Sequence, residues 1–164
     1  MGCSNRKRPM PTPFESAQLN LKLFELRREP VLREARNWFV LEYNPESCEE
    51  AIAGLRLHND RFRMVISYWE MASSLVTTGA IDPAAFLAAH GEIVATFAKL
   101  QPFLEEMRAS FREPSFFCHV EQVVLGMPDA LATLERRRKG LAAAAKARQA
   151  KQAADSGQQT AVSR

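Results

Sequence analysis

The chain has 164 residues, 46% of them apolar and 25% charged, enough for one modest core and too short for two comfortable domains. Its net charge of +3 hides a division: residues 1–13 carry three cations and no acid, 14–134 carry eleven basic and seventeen acidic side chains, and 135–164 carry eight basic and two acidic. No apolar run approaches the roughly 18–20 residues of a membrane-spanning helix, and the seven glycines are too dispersed for a phosphate-cradling loop.

Residues 1–13 place Pro9, Pro11 and Pro13 among polar and basic side chains, which predicts a disordered or extended start, with Met10 an alternative first residue to Met1. No apolar segment follows Arg6-Lys7-Arg8 as a secretory signal would. From residue 14 the pattern is helical: Phe14, Ala17, Leu21 and Phe24 recur at spacings of three and four, with Leu19, Leu23 and Leu26 widening the stripe. Beyond Pro30, Val31, Ala35, Trp38 and Phe39 predict a second short helix ending near Tyr43. Asn44-Pro45 reads as a helix start, and Leu55, Phe62, Trp69 and Val76 then fall seven apart. Residues 45–78 as one straight helix would be about 51 Å long, so a bend is expected near Gly54. Gly79 closes that helix, and Asp82-Pro83 opens the next.

The most regular stripe follows: Phe86, His90, Ile93, Phe97, Leu100, Leu104, Met107 and Phe111, spaced 4-3-4-3-4-3-4. It passes Pro102 without a slip in register, which predicts a kink there. Phe116, Phe117, Val120, Val123 and Val124 predict a shorter helix to Gly126, and Pro128 opens a last one through Leu134. Beyond it the chain turns basic and alanine-rich. The expected fold is all-α: a single elongated bundle of about five to six helices over 14–134, followed by a tail, 135–164, that is partly helical or disordered.

Chemistry-bearing residues are few. Cys3, Cys48 and Cys118 show no paired spacing, which suits free thiols and a cytoplasmic location. His58, His90 and His119 lie 32 and 29 residues apart, and none has the Glu-x-x-His spacing of di-metal helical proteins. His90 replaces an apolar residue in the strongest stripe. It is either a core-edge histidine hydrogen-bonded to a carbonyl or carboxylate, or a pH-sensitive group or a contact to a ligand or partner, the last together with Trp69. Cys118 and His119 are neighbours and point about 100° apart on a helix, so they make a poor nucleophile–base pair. Glu70 beside the apolar seam is expected to form a structural ion pair with Arg108. Arg136, Arg137, Arg138 and Lys139 are candidate phosphate contacts, although the tail has no aromatic residue to stack on bases. No catalytic motif is present, and neither a catalytic role nor a cofactor is expected.

Tyr68-Trp69-Glu70, Gly79-Ala80-Ile81-Asp82, Leu100-Gln101-Pro102-Phe103 and Arg108 together resemble a bacterial all-helical family known only as a domain of unknown function, over about residues 14–125. The resemblance implies a cytoplasm-facing helical domain with Glu70 and Arg108 as structural partners. Three readings follow from the sequence. The first is an interaction module that binds another protein or itself. The second is a nucleic-acid-associated protein acting through its tail. The third is an enzyme, or a small-ligand or metal-binding helical protein, built from Glu70, His90 and His119.

Overall fold

Proline, glycine and capping side chains set the helix boundaries. The computed structural model describes the backbone of residues 11–162 and the side chains of residues 11–153. The expectations for residues 1–10, including the Met10 start and Cys3, lie outside the described residues. In chain order the elements are α1 (Pro13–Arg27), α2 (Pro30–Leu41), α3 (Cys48–Leu57), α4 (Asn59–Thr77), α5 (Pro83–Ala89) and α6 (Glu92–Leu100). A 3₁₀ turn (Gln101–Phe103), α7 (Leu104–Phe111), α8 (Cys118–Leu125) and α9 (Ala130–Val162) complete them. The fold is all-helical, with no strand among the described residues, and the helical segments outnumber the five or six expected.

Several boundaries follow the sequence. Gly79 sits at φ 79°, and the N–H groups of Gly79 and Ala80 donate to the carbonyls of Val76 and Leu75, a Schellman closure of α4. The Asp82 carboxylate accepts from the Ala85 N–H at 2.8 Å and starts α5. Thr12 and Glu15 form a reciprocal capping box with Pro13 in the first turn, so ordered helix begins at the position where an extended start was expected to end.

Others differ, each for a physical reason. The helix predicted from Asn44-Pro45 begins instead at Cys48 behind a Ser47 cap, because the Asn44 side chain is engaged elsewhere, donating to Leu41 O and accepting from Lys99. The bend expected at Gly54 lies at His58, whose φ −125° and ψ 48° separate α3 from α4. Gly54 stays helical, and its lack of a side chain makes room for the Tyr43 ring: a Cβ there would lie 2.7 Å from Tyr43 Cε2. The long stripe is buried from Phe86 to Met107 as its spacing predicts, but the helix carrying it breaks twice. It breaks at His90, and again where Pro102, lacking an N–H for the α-helical ladder, yields a 3₁₀ turn in place of a kink.

At the centre lies α6, every residue of which from Ile93 to Leu100 is buried. α2, α8 and α9 pack around it, and α4 packs across α2 and α8. One charge is carried into this interior: the Lys99 ammonium donates to Phe39 O, Val40 O, Tyr43 O and Asn44 Oδ1 at 2.7–2.8 Å. Those carbonyls lie at and just beyond the C-terminus of α2, where no intrahelical donor remains. α9 adds Arg148, which donates to Leu41 O at 2.9 Å. Leu134 is fully buried, and Arg138, Leu141, Ala145 and Arg148 are half-buried at the same 4-3-4-3 spacing, so α9 lies against the body beyond the boundary expected at residue 134.

Gly54→Ala is expected to lose about 1–3 kcal/mol to overpacking, although alanine is intrinsically favoured over glycine in a helix by about 1 kcal/mol. In a Tyr43→Leu background the same substitution becomes neutral or stabilising. Urea unfolding of the four chains reads the coupling directly.

Candidate functional site

Three regions concentrate exposed apolar surface or chemistry. The first is α1. Of the apolar stripe on α1, the Phe14–Ala17–Leu21–Phe24 row turns outward: Phe14, Leu21 and Phe24 are 71%, 62% and 50% exposed, while Ser16 and Leu23 are the side chains that α1 buries. Ser16 Oγ accepts from the Asp82 N–H at 3.1 Å, and the body's Tyr68 hydroxyl donates to Leu23 O at 2.8 Å. This fixes the orientation of α1 through polar contacts on its less apolar face. Between α1 and α5 runs a groove of about 640 Å³ with Ala17, Leu21, Phe24, Ala85 and Ala89 on its walls and Asn20 and His90 in its polar section.

The second region lies beneath the groove. Glu92, at the start of α6, accepts from Arg36 through both carboxylate oxygens and from Arg27 at 3.2 Å, and Arg36 also donates to Arg27 O. Arg27 lies over the Trp69 ring, 5.5 Å from its centroid. His90 is 1% exposed, with Nε2 3.1 Å from Asn20 Oδ1 and Nδ1 facing Arg27 Nη1 at 3.4 Å. A guanidinium only donates, so Nδ1 accepts and Nε2 carries the hydrogen, the neutral tautomer. Burial, reinforced by the Arg27 charge, pulls His90 down to about 4. Trp69 is fully buried, so its expected role as a partner contact gives way to a core role, whereas His90 reaches the groove.

The third region is the start of α8. The expected Glu70–Arg108 pair is replaced by two separate sets of contacts. Glu70 Oε1 accepts from the His119 N–H at 3.0 Å and Oε2 from the Val120 N–H at 3.1 Å, capping the first turn of α8, while Cys118 Sγ lies 3.5 Å from Oε1. Arg108 donates to Glu121, Glu105 and Phe116 O instead. Phe117, just before α8, is buried at φ 61°, a conformation that costs an aromatic residue on the order of 1–2 kcal/mol. Burial, with the Glu70 charge beside it, pushes the Cys118 thiol up. The Glu70 carboxylate, the Cys118 thiol and a His119 ring nitrogen lie within 4.8 Å of one another and are the residues here that can hold a metal. His90, the third residue of the expected set, belongs to the α1 groove.

The candidate phosphate contacts sit on α9, spread round it by the helical rotation of about 100° per residue. Arg136 donates to Thr133, Arg138 to Gln101 on the body, and Lys139 pairs with Glu135. Sequence reasoning missed Lys99, although a lone cation in the apolar run Ile93–Leu100 was a visible signal. It also missed the Arg27–Glu92–Arg36 cluster, for which no local signal exists.

A single helical domain with a buried central helix is the class that this geometry defines. The family described as a domain of unknown function (DUF4760) matches residues 13–127, and the chain belongs to it. No curated protein and no solved structure matches the chain.

Two outcomes test these sites. Below about pH 6.5 the unfolded chain takes up a proton that folded His90 does not accept until about pH 4, so stability contributed at neutral pH is lost as pH falls through that window. Between pH 7 and 4.5, the wild type should therefore lose about 2–3 kcal/mol more than His90→Gln in paired urea titrations. Glu70→Ala should destabilise by about 2–3 kcal/mol, and hydrogen exchange at the His119 and Val120 amides should accelerate ahead of the rest of α8.

Proposed function

We propose that this protein is a helical interaction module that works by binding, not by catalysis, and that its docking face is α1 with the adjoining groove. The observation that carries this reading is the exposed Phe14–Ala17–Leu21–Phe24 stripe, an apolar face that the described residues leave uncovered while holding α1 in place through Ser16, Leu23 and Arg27. Surface this apolar on a helix is a feature of protein–protein contact sites.

The occupant that fits the pattern is α1 of a second copy. Spacing of 3-4-3 reads the same in both chain directions, so an antiparallel two-fold pairing sets Phe14 opposite Phe24 and Ala17 opposite Leu21. Ala17 then faces the larger Leu21, the two phenylalanines meet at the ends of the pairing, and the alanines of the groove, Ala17, Ala85 and Ala89, leave room for the incoming ridge. Phosphate binding through the tail has less support, since Arg136, Arg138 and Lys139 already have intramolecular partners.

Sedimentation analysis of the full chain up to concentrations on the order of 100 µM tests the reading. The wild type is expected to be a reversible dimer, and Leu21→Glu, at an exposed position, is expected to be a folded monomer by circular dichroism. A monomeric wild type, or a dimer that persists in Leu21→Glu, overturns it. A monomer that instead co-sediments with anionic vesicles through Leu21 would reassign the face to a lipid surface.

A further inference from the structure

Glu70, Cys118 and His119 come from two helices and meet where α4 passes the first turn of α8. They bring a carboxylate, a thiol and an imidazole within 4.8 Å of one another, all partly accessible. From this juxtaposition we propose that the three side chains bind one zinc ion, with a fourth position open to water or a small donor. The site is independent of the α1 face.

Geometry is the first support. The Cys118 Sγ to Glu70 Oε1 separation is 3.5 Å. Bonds of about 2.3 Å to sulfur and 2.0 Å to oxygen, meeting at a tetrahedral angle, span about 3.5 Å between the two donors, so this edge of a zinc tetrahedron is already formed. The His119 ring nitrogen, within 4.8 Å of the other two donors, is the third and has to close on them when the ion binds.

The surroundings hold the donors as metal ligands are held. The His119 and Val120 N–H groups each occupy one lone pair of a Glu70 oxygen, which fixes the carboxylate and leaves a second lone pair on each. Thr77 Oγ1 lies 2.8 Å from His119 Nδ1 and 3.2 Å from Ser74 O. With the hydroxyl hydrogen directed to Ser74 O, Thr77 accepts from Nδ1–H and leaves Nε2 deprotonated, the tautomer that metal-binding histidines adopt through such an outer contact. Phe117 holds its left-handed conformation immediately before Cys118 and places the thiol in the first turn of α8.

Charge and donor type select the ion. A helix N-terminus disfavours a lone cation, but zinc with one carboxylate and one thiolate is a neutral assembly there. Ligation replaces the S–H bond with an S–Zn bond, and the thiol proton leaves to solvent. Sulfur and imidazole donors favour zinc over magnesium or calcium. Glu70 also lines a cavity of about 550 Å³ with Phe62, Phe116 and Phe117 on its walls, which gives a small donor a route to the carboxylate.

The test uses the full chain after chelator treatment and dialysis. Titration with zinc should give one ion per chain. Titration with cobalt(II) should give a thiolate-to-metal charge-transfer band in the near ultraviolet. Cys118→Ser should abolish the band, His119→Gln should weaken zinc binding by at least about 10-fold, and Cys3→Ser should change neither, with circular dichroism verifying each fold. Absence of stoichiometric zinc binding in the wild type, or a band that survives Cys118→Ser, overturns the proposal. Neither result depends on the oligomeric state, so failure here and failure of the docking reading are distinguishable.

Discussion

A cation held inside a shell of oxygens organises the centre of this protein. α6 is surrounded on every side, a position suited to a helix with apolar residues all round, yet it carries Lys99. Four acceptors face that ammonium, three of them backbone carbonyls at the end of α2. Burial and the nearby Arg148 charge pull Lys99 down to about 7, the direction expected for a cation taken out of water. The ammonium brings three hydrogens to these four oxygens and a neutral amine only two, so the charged form satisfies the shell better and two of the oxygens share one hydrogen. The same contact stops α2, sets the course of the loop to α3 and engages Asn44, which is why α3 begins at Cys48. With Arg148 joining from α9, the end of α2 becomes the point where three separated parts of the chain are tied together.

A second polar tie does the corresponding work at the other end of α6. Glu92 draws Arg36 from α2 and Arg27 from α1 onto one carboxylate, and Arg27 in turn covers Trp69 and meets His90. α1 is therefore located chiefly by hydrogen bonds and charge, with few buried apolar side chains of its own, Leu23 foremost. Its larger apolar residues are left over, and that surplus is the physical basis for reading α1 as a docking face. The break at His90 belongs to the same arrangement: the helical ladder stops where the imidazole is recruited by Asn20 and Arg27.

At α8 the driving force is the need of a helix start for acceptors. No residue of the Ser115–Phe117 turn makes a side-chain cap, so the capping carboxylate comes from Glu70 on α4. That demand, together with the left-handed Phe117, brings Cys118 and His119 against Glu70. Arg108, freed from the expected pairing, braces the same turn by binding Phe116 O and Glu121.

By itself the sequence determined what depends on near neighbours. The all-helical class follows from 3-4 spacing. The starts at Asp82 and the end at Gly79 follow from local capping chemistry, and the burial of Phe86 through Met107 follows from an unbroken heptad register. Two further local signals were legible and missed: Thr12-Pro13-Phe14-Glu15 as a capping box, and the 4-3-4-3 stripe from Leu134 to Arg148 that carries α9 along the body. The tertiary structure alone decided the rest, because each case turns on a partner distant in sequence. Spacing shows that Phe14, Ala17, Leu21 and Phe24 share a face, but only the contacts of Ser16 and Leu23 with the body decide that this face looks outward. Gly54 resembles a bend until Tyr43 is seen against it. Glu70 marks itself as a carboxylate that needs a partner, and whether arginine or a helix start supplies it depends on how α4, α7 and α8 pack. Periodicity specifies which side of a helix is apolar; the pairing of buried charges and orphaned backbone groups settles what that side meets.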